Sequence, residues 1–224
     1  TWKELHERCG ECPWPQPTGW QSPFCPNNLH RTMMQRVAPY TLRGFLYYQG
    51  EEDVVRYEGY SDMMIALVKQ WRMDWNDWSL PFLFVQLPMY LAIDTEDDKK
   101  WAMQREQQAI AAAMLKRVGM ISMTDCGEFD NIHPLDKETP GTRLALLAEQ
   151  MVYGTGEEWT PTVQQMYSDG TALYLVFDHV ADGLVIHASQ PETCQIAGAD
   201  GVYYPAKAEV LHTNTIRVSA DAVD

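Results

Sequence analysis

The sequence predicts an α/β fold, in which a parallel sheet is flanked by helices and followed by a β-rich C-terminal region. Between residues 45 and 153, apolar runs of strand length alternate with segments of helical periodicity, which is typical of parallel βαβ units. From residue 155 onward, short strand-like runs are separated by Asp-Gly turns. We therefore predict an irregular segment over residues 1–28, an α/β body over 29–154 and a β-rich appendage over 155–224.

Three strands and three longer helices are predicted in the body. The apolar run Phe82–Leu87 has the composition of a strand that is buried on both faces. The predicted strands are Phe45–Tyr48, Phe82–Leu87 and Val118–Thr124, and the helices are Val54–Trp71, Lys100–Arg117 and Leu135–Tyr153. In the appendage, strands are predicted at Leu173–Phe177, Leu184–His187, Val202–Tyr204, Glu209–Leu211 and Thr215–Val218.

Composition limits the partners of this chain. Its formal net charge of −14 argues against nucleic acid or an anionic membrane surface as a partner, because both are polyanions. No apolar run reaches the roughly 18 residues of a membrane-spanning helix. Five cysteines without disulfide-framework spacing favour reduced thiols, and hence a cytoplasmic rather than a secreted location, although the compartment stays open.

Polar residues follow all three predicted strands of the body. Because the carboxyl ends of parallel strands meet at one rim of a sheet, we expect these residues to form a site there. They are Gln49, Gly50 and Glu51 after the first strand, Gln86 in the second, and Asp130 and His133 in the loop after the third.

The spacing Asp-x-x-His at Asp130 and His133 predicts an acid–base pair. It allows the carboxylate to accept a hydrogen bond from one imidazole nitrogen, which leaves the other nitrogen free to act as general base. The side chain of Gln49 and the backbone N–H of Gly50 are candidate donors to an oxyanion. A nucleophile is missing, since none of the seven serines lies in a Gly-Asp-Ser or Gly-Gln-Ser motif. Cys126 is a weaker alternative nucleophile.

A zinc site is a further alternative at the N-terminus. Cys9 and Cys12 have the spacing of a metal knuckle, and Cys25 with His30 could complete four ligands. The second tight pair of ligands that such sites use is absent. We therefore predict no metal and no other cofactor.

Several motifs together resemble the sialate O-acetylesterase family of the SGNH-hydrolase superfamily. The first is Leu46-Tyr47-Tyr48-Gln49-Gly50-Glu51, which resembles the Trp-Tyr-Gln-Gly-Glu block of that family. The others occur in the same order as in the family: Trp71-Arg72, Leu80-Pro81-Phe82, Phe84-Val85-Gln86-Leu87, Arg105-Glu106-Gln107, Ile132-His133-Pro134-Leu135-Asp136-Lys137, Arg143-Leu144-Ala145, Tyr153-Gly154, Ile196-Ala197-Gly198-Ala199-Asp200-Gly201 and Tyr204-Pro205-Ala206.

This resemblance implies a three-layer SGNH-hydrolase-like fold and a serine esterase that removes acetyl groups from sialic acid or a related acetylated sugar. It implies that His133 is the catalytic base and that Gln49, Gly50 and Glu51 shape the oxyanion site. Asp130 matches the position of the superfamily acid, with Asp125 and Glu128 as substitutes. No metal is implied.

The sequence departs from the family at the nucleophile. The family's Gly-Gln-Ser-Asn-Met block is not found, and Glu52-Asp53 follow Gln-Gly-Glu where the family has Ser or Ala and then Asn. We therefore expect a fragment whose serine comes from a separate N-terminal segment. Two alternatives stay open: a catalytically inactive sugar-binding relative, and a deacetylase of another polysaccharide. The net charge of −14 opposes the approach of anionic sialic acid at long range and keeps neutral acetylated sugars in contention.

Overall fold

The computed structural model describes residues 25, 27–38, 40–92, 96–155, 161–186 and 194–223. The chain divides into two compact units, one up to residue 156 and the other from residue 157. Most of the segment 1–28, which we predicted to be irregular, lies outside the described residues. No helix within the described ranges is long and apolar enough to cross a membrane.

The first unit is built on a parallel sheet, which confirms the predicted α/β class. Phe45 is in register with Phe82, and Phe82 in turn with Val118. The described strands, in their spatial order, are β1 (Phe45–Tyr47), β2 (Phe82–Val85) and β3 (Val118–Ile121).

The helices of this unit are shorter or more irregular than predicted. In the predicted helix Val54–Trp71, a 3₁₀ helix changes to an α-helix at Gly59, after a non-helical Arg56 (φ −137°, ψ 35°). The predicted helix Lys100–Arg117 ends at Met114, because Leu115 is extended. The helical elements are π-helical His30–Met34, α1 (Gln35–Val37), 3₁₀ Glu51–Gly59, α2 (Tyr60–Asp74), α3 (Lys100–Met114), α4 (Glu138–Ala148) and π-helical Glu149–Tyr153.

An aromatic cluster fills the space between one face of the sheet and α2. The ring of Phe45 lies 5.1 Å from that of Trp71, 5.2 Å from that of Trp75 and 5.9 Å from that of Phe82. These side chains meet because Phe45 and Phe82 are in register on neighbouring strands and Trp71 and Trp75 lie one helical turn apart. Burying one such ring is worth about 1.5–3 kcal/mol, so this face anchors the sheet.

The opposite face of the sheet packs against α4 and the π-helical turn that follows it. A Cβ on Gly119 would lie 2.5 Å from Sδ of Met151 and 2.9 Å from Cδ2 of Leu147. The absence of a side chain at Gly119 therefore allows this close approach. Helices consequently cover both faces, in the three-layer arrangement that was predicted.

The second unit is antiparallel and β-rich. Residues 184–186 form no strand, so the prediction at Leu184–His187 was wrong for its described part. Conversely, β4 (Thr162–Ser168) was not predicted, because every one of its residues is exposed and the strand has no clear apolar face. The other strands are β5 (Leu173–Asp178), β6 (Gln195–Ala197), β7 (Tyr203–Pro205), β8 (Lys207–His212) and β9 (Thr215–Ser219); they form one sheet of order β4-β5-β9-β8 and one of β6-β7.

Candidate active site

The turn after β1 depends on a glycine. Gly50 has φ 144° and precedes the 3₁₀ helix, whose first turn is closed by the bond from Asp53 N to Gly50 O at 3.1 Å. A Cβ on Gly50 would lie 3.1 Å from both the Nε2 of Gln104 and the hydroxyl of Tyr60. Other residues would be strained at this φ, so the turn requires glycine at this position.

The side chain of Gln49 is held at both ends. The hydroxyl of Tyr47 donates to Gln49 Oε1 at 2.8 Å, and Gln49 Nε2 donates to Asp53 Oδ2 at 2.8 Å. Burial, with the nearby charges of Asp53 and Glu51, raises the pKa of Tyr47 to about 12, so its phenol stays protonated and donating. These contacts set the orientation of the amide. Within the described residues the second N–H of Nε2 makes no hydrogen bond, so this amide is able to donate to an oxyanion.

The loop that carries His133 is shaped by Glu128 and Asn131. The side chain of Asn131 donates to Glu128 Oε2 at 2.7 Å and accepts the backbone N–H of His133 at 3.0 Å. Glu128 Oε1 also accepts the backbone N–H of Leu135 at 2.7 Å. Asp130 and His133 are both exposed, and in the described part of the chain no hydrogen bond joins them. The contact that their spacing allows is therefore not made in this conformation.

The two substitute acids already have partners. Arg143 binds Asp125 through two contacts of 2.7 and 2.6 Å and also donates to the carbonyl of Ser122. This guanidinium lowers the pKa of Asp125 and ties the loop to α4. Because Asp125 binds Arg143 and Glu128 holds the loop backbone, Asp130 is the candidate acid that remains unengaged within the described ranges.

Cys126 lacks the properties of a nucleophile. Burial, followed by the charge of Asp125, raises the pKa of its thiol to about 11. Its sulfur lies 3.5 Å from that of Met123. A thiol with this pKa is protonated at neutral pH, whereas attack requires the thiolate, so the structure does not support the cysteine alternative.

Gln86 lies at the end of β2 but its amide is directed toward α3. Its Nε2 donates to the carbonyl of Arg105 at 3.1 Å, while its backbone N–H donates to Ile121 O at 2.8 Å. The side chain thus joins the sheet to α3. An oxyanion role for Gln86 stays a prediction that would require this amide to turn.

Sequence reasoning missed the contact that joins the Gln49 turn to the His133 loop. The ammonium of Lys137 lies 4.8 Å from the ring centroid of Tyr48. Both residues belong to motifs of the esterase resemblance. Because they lie far apart in the sequence, their contact could not be predicted from it. The contact brings the two parts of the rim together.

Two buried glutamines on α3 differ in whether their side-chain amides are hydrogen-bonded. Gln104 and Gln108 are both 0% exposed and lie one helical turn apart. Gln108 Oε1 accepts the backbone N–H of Leu87 at 2.9 Å, and its Nε2 donates to Val85 O at 3.3 Å. Within the described part of the chain, neither polar atom of the Gln104 amide has a hydrogen-bond partner.

This difference predicts opposite effects on stability. Replacing Gln104 with Met removes an unsatisfied amide and is expected to raise the free energy of unfolding by about 1 kcal/mol. Replacing Gln108 with Met leaves two buried backbone groups without their hydrogen-bond partner. This change is expected to lower the free energy of unfolding by about 2 kcal/mol. Urea unfolding measures both; a loss of stability in Gln104→Met would mean that its amide has a partner.

Only two of the four residues of the alternative zinc site, Cys25 and His30, are among the described residues. Cys9 and Cys12 lie outside them. His30 Nε2 contacts Asp74 Oδ2 at 2.7 Å. Within the ranges that the structure describes, no three His, Cys, Asp or Glu side chains are grouped as metal ligands.

Fold and rim together define an α/β protein whose polar site lies at the carboxyl edge of a parallel sheet. The chain belongs to the carbohydrate esterase family described as sialic acid-specific acetylesterase, whose sequence profile matches residues 17–152.

Known proteins support this assignment. The chain is 29% identical over 142 residues to the sialate O-acetylesterase of Rattus norvegicus and 28% identical over 161 residues to that of Homo sapiens. It resembles the crystal structure of a carbohydrate acetylesterase from Xanthomonas citri with a TM-score of 0.79 and 32% identity, over 87% of this chain and 46% of that one. The matches cover 56% and 65% of this chain but only 26% and 30% of the two curated relatives.

Proposed function

We propose that this chain forms part of a carbohydrate O-acetylesterase, which removes acetyl groups from sialic acid or a related acetylated sugar. The main support is the rim itself, where the turn that presents Gln49 and Gly50 meets the loop that carries His133 through the Tyr48–Lys137 contact. Membership of the esterase family supports the same reaction.

In the proposed reaction, a serine hydroxyl attacks the acetyl carbonyl while His133 takes its proton. The carbonyl oxygen becomes an oxyanion that accepts hydrogen bonds from the Gln49 amide and the Gly50 backbone N–H. His133 then returns the proton to the sugar oxygen as it leaves. Water hydrolyses the acetyl-enzyme by the same steps, and Asp130 orients the imidazole after a change in the exposed loop.

The serine is proposed to come from outside these 224 residues. The hydroxyls of Ser61, Ser79 and Ser168 bond to Gln107, Asp77 and the carbonyl of Ala172. None of the described serines contacts a histidine; Ser22 and Ser189 lie outside the described residues. In addition, β1 is an edge strand of the described sheet, and its Leu46 is 65% exposed. Both features are expected if a further strand from the separate segment pairs with β1 and covers Leu46.

A non-catalytic sugar-binding relative is the second candidate. It is favoured by the exposure of Asp130 and His133 and by the lack, within the described ranges, of a hydrogen bond between them. In that case the rim would bind an acetylated sugar through Gln49 and Glu51 without hydrolysing it.

Labelling with a fluorophosphonate, followed by peptide mapping of the intact protein, separates these proposals. We expect acetate release from acetylated sugars and a label on a serine outside the 224 residues. A label on one of the seven serines of this chain would contradict the external nucleophile. Sugar binding without acetate release or labelling would establish the binding relative instead. Comparing O-acetylated sialic acid with a neutral acetylated sugar identifies the substrate.

A further inference from the structure

Lys137 and Tyr48 connect the two parts of the rim that the proposed reaction uses. Tyr48 directly precedes Gln49, and Lys137 directly precedes α4. We propose that this cation–π contact, called the latch below, positions His133 relative to the Gln49–Gly50–Glu51 turn. The proposal rests on the proposed function for its consequence in catalysis, although the contact itself can be tested without it.

Lys137 has the ring of Tyr48 as its close partner. The Nζ of Lys137 lies 4.8 Å from the ring centroid, within the roughly 6 Å range of a cation–π attraction. No carboxylate of the described residues lies within the distance of an ion pair to this ammonium. The ring is therefore the group that holds the lysine in place.

A short chain of contacts leads from Lys137 to His133. The carboxylate of Glu128 accepts the backbone N–H of Leu135 and the side-chain amide of Asn131, each at 2.7 Å. These bonds, and then the charge of Lys137, lower the pKa of Glu128. Asn131 in turn accepts the backbone N–H of His133. Lys137 thus stabilises the carboxylate that fixes the loop on both sides of His133.

At the other end of the latch, Tyr48 contributes its ring rather than its hydroxyl. The hydroxyl is buried and has no hydrogen-bond partner among the residues that the structure describes. Burial, followed by the negative charge of Glu51, raises the pKa of the phenol, so it stays neutral. Phenylalanine retains the aromatic face that attracts a cation, whereas leucine does not.

The test compares disruptive and conservative changes in the intact protein. Lys137→Met and Tyr48→Leu are expected to lower kcat about two- to fivefold with little change in KM. Lys137→Arg and Tyr48→Phe keep the cation and the ring, and are expected to retain the parental kcat. Because both disruptive changes break one contact, the double variant should be no slower than the slower single variant.

Amide hydrogen exchange gives a second measurement that does not depend on activity. The N–H groups of His133 and Leu135 should exchange faster in Lys137→Met and Tyr48→Leu, but not in the conservative variants. The exposed Lys116, changed to Met, controls for the loss of one positive charge and should leave exchange unchanged.

Several outcomes would contradict the proposed role of the latch. They are unchanged exchange in both disruptive variants, equal damage from Tyr48→Phe and Tyr48→Leu, and an effect of Lys116→Met as large as that of Lys137→Met. If the intact parent protein hydrolyses no acetyl ester, the proposed function fails, and exchange alone decides whether the latch exists.

Discussion

Replacing His133 with Ala is expected to lower kcat/KM for acetyl ester hydrolysis by about 10²–10⁴-fold in the intact protein. The change removes the group that we propose takes the proton from the nucleophile, and a positioned general base contributes an effect of that size. Because His133 is exposed and, among the described residues, only its backbone N–H is hydrogen-bonded, the fold should be little affected. Acetate release and urea unfolding measure the two quantities.

The matched control is His212→Ala, which removes an exposed histidine from the β-rich unit. It is expected to retain parental activity. If His133→Ala keeps more than about one-tenth of the parental kcat/KM, His133 is not the general base. Equal losses in the two histidine variants would also contradict the assignment.

Replacing Arg72 with Met is expected to lower the free energy of unfolding by about 3 kcal/mol. Arg72 is 5% exposed and its guanidinium donates to three backbone carbonyls. These are Leu80 O at 2.9 Å, Lys116 O at 2.9 Å and Arg117 O at 3.2 Å. Methionine fills much of the same space but removes the guanidinium donor of Leu80 O and Lys116 O, while Arg117 O keeps the backbone N–H of Phe82 at 3.0 Å.

Replacing Arg72 with Met should lower stability without changing activity. The three carbonyls precede β2 and β3, at the end of the sheet opposite the rim, so activity well below the unfolding transition should be unchanged. Arg72→Lys is also expected to destabilise, because an ammonium cannot reproduce the planar fork that reaches three carbonyls. Arg36→Met, at an exposed position, is the control; equal stability of the Arg72 and Arg36 variants would refute the role.

The α/β class could be predicted because its signals are local. β2 is buried at every position, so the continuous apolar composition of the run that contains it predicted a central strand correctly. Helix ends were less predictable, since Arg56 and Leu115 leave helical geometry without a Pro or Gly at those positions. β4 was not predicted because an exposed strand has no buried face and therefore no alternation of apolar and polar residues.

The sequence by itself determined that polar residues follow parallel strands, and that Gln49 and His133 therefore belong to one rim. It also contained the motifs that mark the esterase family. Only the tertiary structure decided how each group is engaged: Arg143 binds Asp125, Tyr47 and Asp53 orient Gln49, and Lys137 lies over Tyr48. The physical reason is that strand periodicity and turn chemistry act between neighbours in the chain. Hydrogen bonds and cation–π contacts instead depend on distances that exist only after strands and helices have packed together.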